Sequence, residues 1–310
     1  MRLLPEHGHR PRGLDIKPKG PFVDVVGSVA DRSVVREALD GIDAVLHTAT
    51  LHKPHVGTHT REQFVETNIT GTLVLLEEAV RAGVKAFVYT STTSAFGRAL
   101  TPGPRQPAAW ITEDVVALPH NIYGATKVAA EDLCELVHRD HQLPVLVLRT
   151  SRFFPEPDGR DDRRAAYEDR NLKTSELIYR RVDVEDAVTA HLLALQRAPE
   201  LGFGRYIISA TTPFTRDDLF DLRTDAPAVV ARHNPGYERI YAERGWTMLP
   251  EIDRVYVNDR ARADLGWAPR YTFGAALDAL AAGADPRSPI TAAIGVKGYH
   301  DRSVGVYTQR

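Results

Sequence analysis

Cysteine is nearly absent from these 310 residues. The single thiol, Cys134, excludes an intramolecular disulfide and fits a reducing cytoplasm. Long apolar runs are missing too, since none approaches the roughly 18 residues that a membrane-spanning helix needs. The opening Met1-Arg-Leu-Leu-Pro5 is too short for a secretory leader. Neither charge sign is in excess, at 39 basic against 41 acidic residues, so no electrostatic footprint marks a nucleic-acid or membrane-surface partner. No internal repeat is evident. These absences lead us to expect a soluble cytoplasmic protein with no nucleic-acid and no membrane partner.

What is present is an alternation of strand and helix signals in a chain long enough for a large core, with two lobes in one body. Residues 21–26 read as a short strand, and Asp31 is placed to cap a helix running through Leu39. Ala44-Val-Leu-His-Thr48 suits a strand buried on both faces, as in parallel sheets. Residues 61–82 carry Phe64, Val65, Ile69, Leu73, Leu76, Ala79 and Val80 at helical spacing and stop at Gly83. A strand at 84–90, a proline-rich loop, a helix at 122–138 and a strand at 144–148 follow. This alternation predicts an α/β fold built on a doubly wound parallel sheet. Beyond Thr150 the pattern breaks into a charged loop or lid at 154–164, a helix from 182–186 to Ala198, and a strand at 205–209 that rejoins the sheet. After Pro286 no periodicity remains.

The chemistry concentrates in Tyr123-Gly-Ala-Thr-Lys127 and in Ser91-Thr92-Thr93 upstream. A tyrosine and a lysine four apart lie on one helix face, one turn separated. An ammonium there stabilises a phenolate, so a group with an ordinary pKa near 10 can act as a base closer to neutrality. A hydroxyl delivered from another element orients a substrate alcohol or carbonyl between them. That trio moves a proton while a nicotinamide ring exchanges hydride.

Several segments share an order and spacing with a known family: Asp43-Ala-Val-Leu-His-Thr-Ala49, Asn68-Ile-Thr-Gly-Thr72, Val88-Tyr-Thr-Ser-Thr-Thr-Ser-Ala-Phe-Gly97, Tyr123-Gly-Ala-Thr-Lys127 and Leu148-Arg149. The chain resembles the extended short-chain dehydrogenases, which include the nucleotide-sugar epimerases and dehydratases. The likeness runs from about Leu14 to Tyr271, where Ala261-Arg-Ala-Asp-Leu-Gly-Trp-Ala-Pro269 resembles the family's C-terminal Leu-Gly-Trp-x-Pro segment. It implies a Rossmann-like NAD(P)-binding domain over residues 1–150 and 178–210, a substrate lobe over 151–177 and 211–285, and a tail at 286–310. The family also opens with a buried strand and a Gly-x-x-Gly-x-x-Gly loop that holds the dinucleotide pyrophosphate. No such loop precedes Asp15. The expectation is that the first strand and its loop lie upstream of Met1, or else that the chain binds the dinucleotide poorly.

By resemblance Tyr123 is the acid–base group, Lys127 lowers its pKa and holds the nicotinamide ribose, and Thr92 supplies the hydroxyl, with Ser91 and Thr93 as alternatives. Asn68 matches an asparagine that steadies its helix and a water near the site, and an ordinary helix-end polar residue is the plainer account. Asp15 sits where an acidic residue accepts the adenosine ribose hydroxyls and favours NAD, whereas Lys17 and Lys19 would suit NADP. Ser28 and Val29 stand at the adenine position, while Ala49, Thr50 and Thr90 stand near the cofactor phosphates and ribose. His52, His55 and His59 lack a nearby acidic partner, and no metal is expected. Arg149, Arg152, Arg180 and Arg181 are candidates for a substrate phosphate, with ion pairing the plainer role.

The resulting expectation is an NAD(P)-dependent epimerase or oxidoreductase acting on a sugar or nucleotide sugar. Relatives often dimerise through the two long helices, which implies a homodimer here. Ser91-Thr92-Thr93-Ser94 carries no acid, which disfavours dehydration. The alternative is a dinucleotide-binding or scaffold protein whose catalysis is impaired by the missing glycine loop.

Overall fold

The structure is a computed structural model that describes residues 1–18, 22–153, 155, 157–158 and 161–295. Lys19, part of the cofactor expectation, lies outside the described residues, as do residues 296–310 of the expected tail. The chain divides into two compact units. The first comprises Met1–Ala95, Pro119–Val147 and Ala194–Gly204, and the second comprises Phe96–Leu118, Leu148–Leu193 and Arg205–Arg310.

Eight short strands are described: β1 (Leu14–Asp15), β2 (Val25–Val26), β3 (Ala44–His47), β4 (Ala86–Thr92), β5 (Ala109–Ile111), β6 (Val145–Thr150), β7 (Phe203–Ile208) and β8 (Arg254–Tyr256). They form a β1-β2 pair, a four-stranded sheet in the order β3-β4-β6-β7, and a β5-β8 pair. The β1-β2, β3-β4 and β5-β8 pairings are parallel, as α/β alternation predicts. Among the described residues no ladder joins β1-β2 to β3.

The helices of the first unit are anchored by side chains the sequence places at their starts. Asp31 accepts from the Ser33 and Val34 backbone N–H groups at the head of α1 (Arg32–Ala38). Thr60 and Gln63 form a reciprocal capping box at α2 (Arg61–Val65). The expected single helix over 61–82 instead passes through one π-helical turn, Glu66–Thr70, before α3 (Gly71–Ala82), which ends on Gly83 at φ 69°. Asn121 caps α4 (Ile122–His141) by accepting from Gly124 N–H at 3.1 Å. Val35, Leu76, Phe87, Ala130 and Cys134 are fully buried in the core shared by these elements.

Three expectations change. Strand β3 alternates half-buried and buried residues rather than being buried on both faces, because it is an edge of its sheet. In the second unit, residues 161–164 belong to a short helix, α5 (Asp161–Ala166), and not to a loop. The start of the supposed tail is also ordered: Ser288 caps a helix at Pro289–Ile294. Asp183 accepts from Ser288 N–H at 3.1 Å and from the Thr291 hydroxyl at 2.9 Å, a long-range tie that no local periodicity could announce.

Candidate active site

The end of β4 and the first turns of α4 bring the chemistry together, all within the first unit. Tyr123 and Lys127 are both buried, at 9% and 1% exposure. The Thr92 hydroxyl is hydrogen-bonded to the Tyr123 phenol and also accepts from Ser94 N–H at 3.1 Å. Of the three hydroxyls considered at this position, Thr92 is the one that meets the tyrosine. Burial pushes the Tyr123 phenol up to about 12, and the Thr92 contact works against that rise.

Lys127 donates to the Thr90 carbonyl at 2.6 Å, and its Nζ lies 4.1 Å from the centroid of the Tyr89 ring. Burial pushes the ammonium down to about 7, partly offset by the charges of Glu131 and Cys134. Glu131 was not singled out from the sequence, although its spacing four residues after Lys127 places it on the same face.

Asn68 sits in the π-helical turn, at 1% exposure, with its amide fully engaged. Its Oδ1 accepts from Leu51 N–H at 2.8 Å and from the Thr50 hydroxyl at 2.9 Å. Its Nδ2 donates to the Leu51 carbonyl and to Thr126 Oγ1, each at 2.9 Å. Asn68 therefore fastens the segment after β3 to α4. Thr126, the middle of that tie, was unmarked in the sequence reading and is legible only as a buried threonine inside the Tyr-Lys motif.

The other residues spread along the strand ends. Asp15, exposed at the end of β1, accepts from Lys17 N–H at 2.9 Å, so an Asx turn holds its carboxylate in place. Ser28 is exposed and accepts from Ala30 N–H at 3.1 Å, while Val29 is buried against α3, where a Cβ on Gly71 would come within 2.7 Å of it. Ala49 and Thr50 are half-buried just past β3, and Thr90 lies in β4.

His52 and His55 cap a 3-10 turn reciprocally, side chain to backbone, and His52 stacks obliquely near Tyr123 at 6.5 Å between centroids. Among the described residues no histidine, cysteine or carboxylate group is arranged to hold a metal. The four arginines lie in the second unit. Arg152, Arg180 and Arg181 pair with the buried Glu176, which fits the plainer ion-pair account. Arg149 donates to the Glu113 carbonyl at 3.2 Å.

The sequence profile of the NAD dependent epimerase/dehydratase family matches residues 2–208. The chain belongs to that family. The dTDP-glucose 4,6-dehydratase of Streptomyces antibioticus is 29% identical over 278 residues, covering 83% of this chain and 74% of the relative. The UDP-glucose 4-epimerase of Streptomyces lividans is 27% identical over 197 residues, covering 56% of this chain and 58% of the relative. The chain spans less than half the length of several other curated relatives it matches. A short-chain dehydrogenase/reductase superfamily protein from Agrobacterium tumefaciens, solved with bound NAD, superposes with a TM-score of 0.63 at 22% identity, covering 91% of each chain. That likeness establishes the fold of this epimerase/dehydratase family member. Among the described residues no helix is long and apolar enough to cross a membrane.

Proposed function

We propose that this family member is an NAD(P)-dependent oxidoreductase of the epimerase/dehydratase type, acting on a hydroxyl or carbonyl of a sugar or nucleotide sugar. One observation carries the reading: β4 and α4 hold the Tyr123 phenol, the Thr92 hydroxyl and the Lys127 ammonium in one buried patch. The sugar nucleotide class is taken from the names of the dTDP-glucose and UDP-glucose relatives.

The residues fit the nicotinamide-ribose end of NAD. Lys127 is buried and bonded to the Thr90 carbonyl at the end of β4, and the half-buried Ala49 and Thr50 carry short side chains just past β3. Asp15, Ser28 and Val29 would hold the adenosine end, where the carboxylate fixed by its Asx turn suits the two ribose hydroxyls. Residues 1–13 contain a 3-10 turn at Pro5–His7 and no glycine-rich loop feeding a helix, so these residues offer the pyrophosphate no such cradle. Bound NAD supplies the two-electron acceptor that no side chain can provide.

The protein's own part is proton handling and placement. Tyr123 takes the proton of a substrate hydroxyl on oxidation and returns it on reduction. Thr92 donates to the same oxygen and fixes its direction. A phenol pushed up to about 12 stays protonated at neutrality and can accept the substrate proton only as phenolate, so the positive charge of Lys127 is needed to favour that phenolate. Asn68 keeps α4 and the segment after β3 in register, so the phenol meets the substrate at a constant angle. Reduction of the keto intermediate from the opposite face gives epimerisation, and release of it gives net dehydrogenation. The absence of an acid in residues 91–94 weighs against elimination of water.

The test is Tyr123→Phe in the full chain, assayed on UDP-glucose and dTDP-glucose with NAD. Turnover should fall by about a hundredfold or more while the fold, read by circular dichroism, is unchanged. Activity within a few-fold of the parent would overturn the assignment.

A further inference from the structure

Thr90, Ser91 and Thr92 close β4, and each engages a different side chain of α4. The Thr90 carbonyl accepts from Lys127, the Thr92 hydroxyl bonds Tyr123, and the Ser91 hydroxyl donates to Glu131 Oε1. Tyr123, Lys127 and Glu131 follow at steps of four, so one helix face meets three consecutive strand residues. Glu131 is 0% exposed and takes no part in the proton transfer described above. A carboxylate buried to that degree is costly unless hydrogen bonds and an opposite charge compensate it. Ser91 supplies the first, and Lys127, one turn back on the same face, supplies the second.

We propose that Glu131 is a positioning residue of the active site, whose carboxylate, held by Ser91, keeps the buried Lys127 side chain in its ammonium form beside Tyr123. The inference rests on the roles given to Tyr123 and Lys127 above. The groups facing Lys127 single out Glu131. From β3, His47 is neutral, because burial, with the Lys127 charge adding to it, pushes it down to about 3. From β4, Tyr89 presents its ring face, and burial keeps its phenol protonated. From α4 itself come Tyr123, whose phenol burial also raises, and Cys134, a secondary influence after Glu131. Glu131 is the carboxylate among these neighbours and the strongest of the influences that favour the ammonium. Burial alone drives Lys127 toward the amine, and Glu131 opposes that drift. With the carboxylate removed, the lysine gives up its proton at lower pH and the Tyr123 phenol loses its cationic neighbour.

The test is the titration of Lys127 in the full chain without nucleotide, followed by the 13Cε resonance in lysine-labelled protein and assigned with Lys127→Arg. Glu131→Gln should lower the midpoint by about one pH unit or more, and Glu131→Asp should lower it by less. The alkaline limb of kcat/KM should move to lower pH in step with that midpoint, a change that mere loss of packing would not produce. An unmoved midpoint overturns the proposal, as does a moved midpoint with an unmoved limb. Should Glu131→Gln fail to fold, Ser91→Ala decides. Losing the donor weakens the anion, so the midpoint falls in the same direction, and constancy refutes the role. The resonance is read without turnover, so an active Tyr123→Phe enzyme would sink the reading of Tyr123 and leave the lysine measurement to be judged by itself.

Discussion

Asn68 Nδ2 donates to Thr126 Oγ1 at 2.9 Å, across 58 positions of sequence, and the Thr126 hydroxyl in turn donates to the Ile122 carbonyl of its own helix at 2.9 Å. The residue bonded to Asn68 thus lies directly before Lys127, so this contact sets where the first turns of α4 stand relative to the segment after β3.

Asn68→Ala would remove the partner of the Leu51 N–H and one bond each from the Leu51 carbonyl and the Thr50 and Thr126 hydroxyls, around a side chain that is itself buried. We expect a loss of about 2–4 kcal/mol in unfolding free energy, read by urea denaturation, together with a fall in turnover. Stability within about 0.5 kcal/mol of the parent would mean that the network is not formed.

Lys127 carries a pH signature in stability. Its ammonium is pushed down from 10.5 to about 7 in the folded chain, first by burial. Between those values the unfolded state binds the extra proton, so this group makes stability rise with pH through the window, by at most about 1.4 kcal/mol per unit. Lys127→Met should remove that rise. Denaturation curves for parent and variant at about pH 6.5, 8 and 9 check the sign, and parallel curves would show an ordinary lysine.

Gly124 is required by space. A Cβ there would lie 2.8 Å from the Ser94 carbonyl oxygen and 3.1 Å from Pro119 Cβ. Gly124→Ala should cost about 1–3 kcal/mol and displace the first turn of α4, lowering turnover through Tyr123 next to it. Thermal melts and steady-state assays together check this, and an unchanged melting temperature would show that the carbonyl yields freely.

Cofactor preference should depend on Asp15. Its exposed carboxylate repels a 2′-phosphate, so NAD should bind more tightly than NADP. Asp15→Asn should narrow that difference by about tenfold, measured by competition binding. Tighter NADP binding to the parent would hand the position to a neighbouring lysine.

Much of this protein could be read along the chain. The apolar stripe read over residues 61–82, the Gly83 stop and the capping residue Asp31 belong to local interactions, and helices form where those signals stand. The π-helical turn at Glu66–Thr70 was not legible; it holds Asn68, whose side-chain bonds all reach residues far away in sequence. The helix at Pro289–Ile294 was missed for the same kind of reason, since Asp183 stabilises its first turn from far away in sequence.

The sequence by itself determined the family, the parallel α/β pattern and the placement of Tyr123 and Lys127 on one helix face, because spacing on a helix and order along a chain are one-dimensional properties. Only the tertiary structure decided that Lys127 binds the Thr90 carbonyl and lies over Tyr89, that Asn68 spends its whole amide on Leu51, Thr50 and Thr126, and that Glu131 is buried against Ser91. The reason is physical: burial sets the energy of a charge, and burial depends on which strand each helix face meets.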